Sequence, residues 1–244
     1  MSARPVRSRH QTGVGLVGLV LVGAVARADG PVSGFVAATS DYVFRGVSQT
    51  YGGAALQGAV NARSANGWFA GAWASNVQPY PSASSAAEID VYAGFGWSMA
   101  PEWSARASYT RYLYAWDERP KPYDYGEIAL SVAFEDRLTA TVSYQPDSTR
   151  YSTLGYVRNE PSSAYELAAR WPVGRGIAVL GGVGYYDLTH LYGVGYWSGN
   201  AGLSYGAGRF EVDLVRFFAD GTVRRLFEDA SADGRWVVTG VCRF

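Results

Sequence analysis

Hydrophobic and polar residues alternate along most of this chain in short segments, as they do in β-strands whose two faces meet different surroundings. In residues 138–145 the even positions are apolar or aromatic, and the odd positions are Thr, Ser or Gln. Residues 127–134, 88–97 and 209–214 also alternate between an apolar face and a second face, and each carries its charged residues on the second face only. Segments of about ten residues are long enough for a tilted strand to cross a bilayer. The pattern therefore predicts two-faced strands of membrane-spanning length.

Twelve segments of this kind are predicted: residues 33–48, 54–63, 67–77, 87–98, 102–116, 125–134, 138–145, 165–171, 177–186, 197–205, 209–217 and 235–244. Short turns alternate with connections that tend to be longer and polar, although the first of them is modest in length. These connections are residues 49–53, 78–86, 117–124, 146–164, 187–196 and 218–234. A soluble sandwich or lipocalin-like barrel shares the strand pattern but does not sort its loops by length. The sequence thus predicts an all-β fold, a transmembrane antiparallel up-and-down β-barrel of about 12 strands with short periplasmic turns and longer extracellular loops.

Aromatic residues are concentrated near the strand ends, where a membrane barrel places them at the two lipid–water interfaces. One set lies beside the short turns: Trp68, Phe69, Trp97, Trp103, Phe134, Trp171, Tyr205, Phe210 and Phe244. A second set approaches the long connections: Tyr42, Phe44, Trp73, Tyr109, Tyr112, Tyr185, Trp197 and Phe217. Because strands are rich in aromatic residues in general, this prediction depends on the loop pattern.

The amino-terminal segment has the three parts of a secretory signal. Arg4, Arg7 and Arg9 precede an apolar run over residues 13–25, and a small-residue cleavage site ends at Ala28. The apolar run is too short for a membrane-spanning helix, which needs about 20 residues. The sequence therefore predicts a signal peptide over residues 1–28 and an exported barrel over residues 29–244.

Composition limits the chemistry that the exported part can perform. Cys242 is the one cysteine, so no internal disulfide can form. His190 is the one histidine beyond the signal, and no Cys and His residues have the spacing of a metal site, so neither a metal nor another cofactor is predicted. The signal takes four arginines and no acidic residue with it, so the rest is mildly acidic, which argues against nucleic-acid binding.

The last strand has an apolar face that ends on the terminal residue, Phe244. In this it resembles bacterial outer-membrane barrels, whose final strand closes the barrel and ends in an aromatic residue. The resemblance implies that the barrel-assembly machinery recognises this strand. It also implies that outer-membrane lipid and lipopolysaccharide surround the protein.

Several motifs carry a more specific resemblance. They are Ser-Asp-Tyr-Val-Phe-Arg-Gly-Val-Ser-Gln-Thr at 40–50, Gly-Trp-Phe-Ala-Gly at 67–71, Trp-Ala-Ser-Asn at 73–76 and Glu-Ile-Asp-Val-Tyr-Ala-Gly at 88–94. Together they are similar to the proteobacterial family called TorF-family porins, or Gcw_chp. The resemblance implies an outer-membrane diffusion channel, without a defined solute.

Strand parity selects the charged residues that should face the barrel interior. We predict that the lumen is lined by Asp41, Arg45, Glu88, Asp90, Arg106, Glu127, Glu166, Arg170, Glu211 and Asp213. Asp41 and Arg45, four apart on one predicted strand, should share a face. Opposite charges across a water-filled lumen would orient small polar or charged solutes, which predicts a porin without enzymatic activity. The same charges could instead fill a narrow barrel and plug it.

Two other functions fit parts of the sequence. A plugged, structural barrel could bind or adhere to partners through the connections at 146–164 and 218–234, because long loops often carry function. An outer-membrane lipid hydrolase would need a base beside a serine, and His190 with Ser198 is the available pair.

Overall fold

The computed structural model describes residues 31–78, 86–115, 124–135, 137–152, 155–227 and 234–244. The predicted signal peptide, residues 1–28, lies outside the described residues. The strands, in chain order, are β1 (Val32–Thr39), β2 (Val43–Phe44), β3 (Val47–Ser48), β4 (Ala55–Arg63), β5 (Trp68–Val77), β6 (Ala86–Ala100), β7 (Trp103–Ala115), β8 (Tyr125–Phe134), β9 (Leu138–Ser152), β10 (Gly155–Gly174), β11 (Ile177–Asp187), β12 (Tyr196–Ala207), β13 (Phe210–Ala219) and β14 (Arg235–Arg243).

Twelve of these strands form one closed antiparallel barrel, whereas β2 and β3 pair only with each other. Each barrel strand pairs with the next barrel strand along the chain, and β1 closes the ring by pairing with β14. Closure extends to the last residue, because Phe244 and Gly34 exchange backbone hydrogen bonds of 2.8 and 3.0 Å. The predicted fold class and strand number are confirmed.

The alternation in the sequence becomes an outer apolar face and an inner polar face. Val142 is 51% exposed on the outside, whereas the adjacent Ser143 is 1% exposed inside. Val212 and Asp213 show the same contrast. An apolar band that surrounds a closed barrel is the surface that lipid requires, since closure leaves no unpaired strand edge.

Two short helices lie on the side of the barrel that carries the long connections. They are α1 (Thr189–Tyr192) and α2 (Val223–Leu226). Leu188, Leu191 and Val223 from these segments are fully buried, and they belong to the same apolar cluster as aromatic residues inside the barrel. The helices thus pack on the barrel end. Neither of them, within the described residues, is long and apolar enough to cross a membrane.

Asp220 connects the segment before α2 to the start of β12 through hydrogen bonds. Its carboxylate accepts hydrogen bonds from the backbone N–H groups of Trp197 (2.8 Å) and Thr222 (2.7 Å). Burial alone would raise the pKa of Asp220, but these hydrogen bonds outweigh it and hold the pKa below its usual value. A lowered pKa stabilises the fold when the carboxyl is ionised, so this contribution is present above about pH 4 and is lost as the pH falls through the folded-state pKa.

We therefore expect the Trp197 amide to lose protection against hydrogen exchange on acidification below about pH 4. Asp220→Asn should show weaker protection at neutral pH and little pH dependence. Equal pH dependence in both proteins would contradict this role for the carboxylate.

The first predicted strand is wrong beyond Thr39. Residues 40–54 leave the wall and turn into the barrel, where β2 and β3 form a small hairpin. Arg45 and Gly46 both have positive φ, at 43° and 80°, as a two-residue type I′ hairpin turn requires. A second reversal follows at Tyr51 and Gly52, also with positive φ. We call residues 41–50 the inward hairpin.

The predicted loop at 146–164 is also wrong, because most of it continues the sheet. β9 reaches Ser152 and β10 starts at Gly155, so this strand pair is much longer than its neighbour β8. The pairing shifts register twice, between Val157 and Glu160 and again before Ser162. Such irregularities allow Pro161, which has no N–H to donate, to lie within a strand.

Candidate functional site

The inward hairpin occupies the half of the lumen on the side of the long connections. We call this the long-loop half, and the other the short-turn half. Every hairpin residue except Gly46 is buried, although the hairpin is not part of the barrel wall. Tyr42, Phe44 and Val47 belong to one apolar cluster with wall residues such as Trp73 and Tyr112. The interior of this half is therefore filled by the chain itself.

Asp41 holds the base of the hairpin. One of its carboxylate oxygens accepts hydrogen bonds from the hydroxyls of Ser48 (2.6 Å) and Thr50 (2.7 Å). The other oxygen forms a 2.7 Å ion pair with Nη1 of Arg235 on β14. One buried carboxylate thus joins both arms of the hairpin to the barrel wall.

Tyr42 packs on the wall formed by β5 and β6. Its ring meets Trp73 edge-on, with centroids 5.4 Å apart, and its hydroxyl donates to Glu88 over 3.5 Å. Asp90 follows Glu88 on the inner face of β6 and is also buried. Both carboxylates therefore point toward the hairpin and away from lipid.

Arg45 at the hairpin tip reaches the opposite wall. Its Nη2 donates to Ser143 Oγ (2.9 Å) and forms ion pairs with Glu127 (3.1 Å) and Glu166 (3.3 Å). These residues lie on β8, β9 and β10, and β9 is the strand farthest from β1 around the closed ring. The hairpin therefore spans the lumen from the end of β1 to the far wall.

Further groups surround the Arg45 guanidinium. Its Cζ lies 4.7 Å from the ring centre of Phe44 and 4.8 Å from that of Tyr186, which are cation–π distances. Glu127 also accepts hydrogen bonds from Gln145 and from the Tyr112 hydroxyl. The far wall thus holds one guanidinium with two carboxylates, a hydroxyl and an aromatic face.

The hydrogen bonding at this point is incomplete. Nε and Nη1 of Arg45 are buried, and neither has a hydrogen-bond partner among the described residues. Oδ1 of Asp90 is likewise buried without one in the same part of the chain. Buried polar groups without partners are costly, so the packed hairpin is not an optimal arrangement for these charges.

The short-turn half is lined differently. Glu211 binds two guanidinium groups, those of Arg170 (2.6 Å) and Arg243 (2.9 Å). On another part of the wall, Arg106 stacks on Phe69 at 5.2 Å. The Arg106 side chain is exposed although it lies on the inward face of β7, in alternation with the outward Tyr109. Solvent therefore reaches the wall in this half of the lumen.

The structure sorts the ten predicted lining residues into groups. Arg45 meets Glu127 and Glu166, and Arg170 meets Glu211. The prediction that Asp41 and Arg45 share one face of a wall strand is wrong, because both belong to the inward hairpin and Asp41 pairs with Arg235 instead. The remaining four are on inward faces of wall strands: Glu88, Asp90, Arg106 and Asp213.

Sequence reasoning missed the uncharged residues of this site, above all Ser143, Gln145 and Tyr186. The first two share strand parity with Thr139 and Thr141, so the alternation marked them as inward, but only charged residues were selected. Four aromatic residues assigned to the second interfacial set instead fill the lumen: Tyr42, Phe44, Trp73 and Tyr112. Phe69, which was assigned to the interfacial set beside the short turns, also faces the lumen, where the Arg106 guanidinium lies over its ring.

The two residues of the predicted alternative catalytic pair lie in different surroundings. His190 is exposed on α1, whereas Ser198 faces the interior and lies against Gly46 of the inward hairpin. Among the described residues, no group of three or more His, Cys, Asp or Glu side chains is arranged to hold a metal ion.

Solved structures with the same fold include two porins. The KdgM porin is 11% identical to this chain, with a TM-score of 0.53, and the match covers 87% of this chain and 99% of that chain. The NanC porin is 8% identical, with a TM-score of 0.56 and coverage of 86% and 98%. At these identities the likeness shows the fold. No curated protein matches the chain in sequence.

A family model described as "Bacterial protein of unknown function (Gcw_chp)" matches residues 24–219. This range includes the inward hairpin, the far wall that binds Arg45 and all barrel strands through β13. The motifs at 40–50, 73–76 and 88–94, which carried the resemblance in the sequence, meet around Tyr42 inside the barrel. The chain therefore belongs to the bacterial Gcw_chp family.

Proposed function

We propose that the protein is a channel of the bacterial outer membrane that passes small polar or charged solutes by diffusion. The inward hairpin is the constriction of this channel and closes its long-loop half. The lipid-compatible belt, the closed twelve-strand ring and the family's bacterial origin support the location. The porin fold and the solvent-accessible short-turn half support the channel.

The observation that carries the proposal is the way in which the hairpin is held. Its tip binds the far wall through one guanidinium between two carboxylates, and two nitrogens of that guanidinium have no hydrogen-bond partner in the described part of the chain. A buried ion pair is a poor source of stability compared with apolar packing of the same volume. A permanent plug would be held more stably by apolar packing than by this ion pair. A constriction that opens must leave a polar passage behind, and charged groups at its contact with the wall provide one.

The test is to shorten the hairpin and measure conductance. Gln49 and Tyr42 form a backbone hydrogen bond of 2.6 Å across the hairpin, so a Gly-Gly link can replace residues 42–49 between Asp41 and Thr50. In planar lipid bilayers we expect single-channel steps about fivefold or more above those of the parent protein, because lumen width limits flow. Arg137→Ala, in an exposed ion pair with Glu135 at a short turn, is the control and should conduct like the parent.

A shortened variant that shows heat-modifiable gel migration, and so is folded, yet carries no current would overturn the channel. It would favour the second candidate, a structural barrel that interacts through its surface. That candidate is supported by the extension of β9 and β10 beyond the length of β8. Trimming this extension should then abolish binding to cells or lipopolysaccharide, and leave barrel folding unchanged.

Two further assignments complete the proposal. We assign no covalent chemistry to the protein, and His190→Ala should leave both conductance and lipid composition unchanged. The barrel-assembly machinery is proposed to recognise β14 and the exposed Phe244 ring at its end. Phe244→Ala should therefore lower the yield of assembled barrel in cells more than its refolding in detergent.

A further inference from the structure

We propose that the far wall of the lumen contains a binding site for organic cations that carry a guanidinium or primary ammonium group, and that Arg45 occupies it as an internal competitor. The site, here called the cation pocket, consists of Glu127, Ser143, Gln145, Glu166 and Tyr186. This inference rests on the proposed channel function and names its solute class.

The pocket is built by the wall and not by the hairpin. Its five residues lie on β8, β9, β10 and β11, whose backbone hydrogen bonds fix their positions. Glu127 is oriented by Gln145, and Gln145 Oε1 in turn accepts a 2.8 Å hydrogen bond from Ser162. The pocket therefore has its own support and should persist when Arg45 withdraws.

The chemistry of the pocket fits a planar or compact cation with N–H donors. Carboxylates that accept charge-assisted hydrogen bonds are the strongest partners for guanidinium and ammonium groups. The face of Tyr186 adds a cation–π contact. Ser143 Oγ supplies a third acceptor within 2.9 Å of the nitrogen that occupies the pocket now.

Electrostatics around the pocket also favour cations. Glu127 and Glu166 place two carboxylates against the single guanidinium of Arg45, so withdrawal of Arg45 leaves acidic groups without a countercharge from the hairpin. The Asp41 carboxylate is compensated by Arg235, so it does not change this balance. Acidic groups in a low-dielectric passage attract positive solutes and repel negative ones.

Arg45 fills the pocket imperfectly, which makes exchange with a free cation feasible. Only its Nη2 is hydrogen-bonded to the wall, while Nε and Nη1 have no partner among the described residues. The backbone of Arg45 also has a φ of 43°, a left-handed conformation that costs free energy in residues other than glycine. A free cation carries neither constraint, so it can compete with the tethered guanidinium.

The first experiment uses the full protein with Arg45→Ala and, in parallel, the Gly-Gly variant that lacks residues 42–49. Both empty the pocket, and the second removes any dependence on how Arg45→Ala packs. Isothermal titration calorimetry should show that methylguanidinium binds these variants at least about tenfold more tightly than it binds the parent protein, because the Arg45 guanidinium no longer competes for the pocket. Glu127→Gln added to either variant should weaken that binding about tenfold, since it removes one charged acceptor.

The second experiment measures the same variants in planar bilayers under a KCl gradient. The reversal potential should show cation preference, and methylguanidinium should reduce the current whereas tetramethylammonium, which has no N–H donors, should not. Arg137→Ala should behave like the parent in both assays.

The two assays separate the two proposals. Current without cation preference, or without methylguanidinium binding by calorimetry, would overturn the cation pocket and leave the channel standing. Binding by calorimetry in variants that never conduct would overturn the channel, while the pocket would remain as a ligand site in a closed barrel. Absence of both binding and current would overturn both.

Discussion

Asp41→Ala should release the inward hairpin and lower the free energy of unfolding by about 3–5 kcal/mol, the cost of removing one partner of a buried ion pair. The carboxylate is 4% exposed and holds Ser48, Thr50 and Arg235 at once. Alanine removes the carboxylate that accepts from the Ser48 and Thr50 hydroxyls and pairs with the Arg235 guanidinium. We therefore expect the hairpin to detach at its base while the strands remain paired.

A partly exposed ion pair with the same N–O distance provides the control. Asp147 and Arg111 are also 2.7 Å apart, but their side chains are 34% and 37% exposed. Water screens this pair, so Asp147→Ala should cost about 1 kcal/mol, including the hydrogen bond that the carboxylate accepts from the Gly126 N–H. The difference between the two variants isolates the effect of burial.

Limited trypsin digestion reports hairpin release directly. Arg45 is buried in the parent, so cleavage after it should be absent there and prominent in Asp41→Ala. Urea titration followed by gel mobility gives the accompanying loss of stability. If Asp41→Ala resisted cleavage at Arg45 and lost no more stability than Asp147→Ala, the assigned role of Asp41 would be wrong.

Gly46→Ala is the second substitution with a large expected effect, a loss of about 3 kcal/mol in hairpin docking, the sum of a left-handed backbone cost and a steric cost. Gly46 has a φ of 80°, which disfavours any residue with a Cβ. A Cβ there would also lie 2.8 Å from Cβ of Ser198 and 3.0 Å from Cβ of Ala219. These atoms belong to wall strands and have little freedom to move away.

Gly208→Ala separates these two costs. Gly208 has a φ of 60° in the turn between β12 and β13, and no atom of the described residues, apart from its chain neighbours, lies within 4 Å of an added Cβ. Its replacement should therefore cost only the backbone part, about 1–2 kcal/mol. Both variants can be compared by urea titration and by trypsin cleavage at Arg45. Equal losses, or cleavage at Arg45 in Gly208→Ala alone, would show that the hairpin tip is not packed against β12 and β13.

The barrel could be predicted from the sequence because each wall strand has one environment per face. Val142 and Ser143 are adjacent in the chain, yet one meets lipid and the other meets the lumen. The same contrast recurs along the wall strands. The twelve strands, their turns and most of the inward-facing charges could therefore be predicted from the two-residue periodicity of the sequence.

The inward hairpin could not be found in this way, because it is surrounded by protein on all sides. Val43 and Phe44 are both buried, so residues 41–50 lack the contrast between faces that identifies wall strands. The Arg45–Gly46 and Tyr51–Gly52 pairs were the available turn signals. Neither is as strong a hairpin signal as Asn66–Gly67, which the sequence does contain at a wall turn.

The extension of β9 and β10 was missed for a different reason. Pro146 and Pro161 argue against regular strands, because proline removes a ladder hydrogen bond. The structure accommodates Pro161 at a shift in register, an irregularity that arises from pairing between two strands and so is not visible in either strand alone.

The route of the chain through the barrel constrains the order in which the protein can assemble. The inward hairpin follows the first strand, yet its base binds Arg235 on the last strand, 194 residues later in the sequence. Its tip needs β8, β9 and β10 to be in place as well. Pairing over such separations is slow, because long loops must close before the contact forms. The hairpin therefore enters its place only as the ring closes, and a nascent barrel that still lacks β14 should have an unobstructed interior.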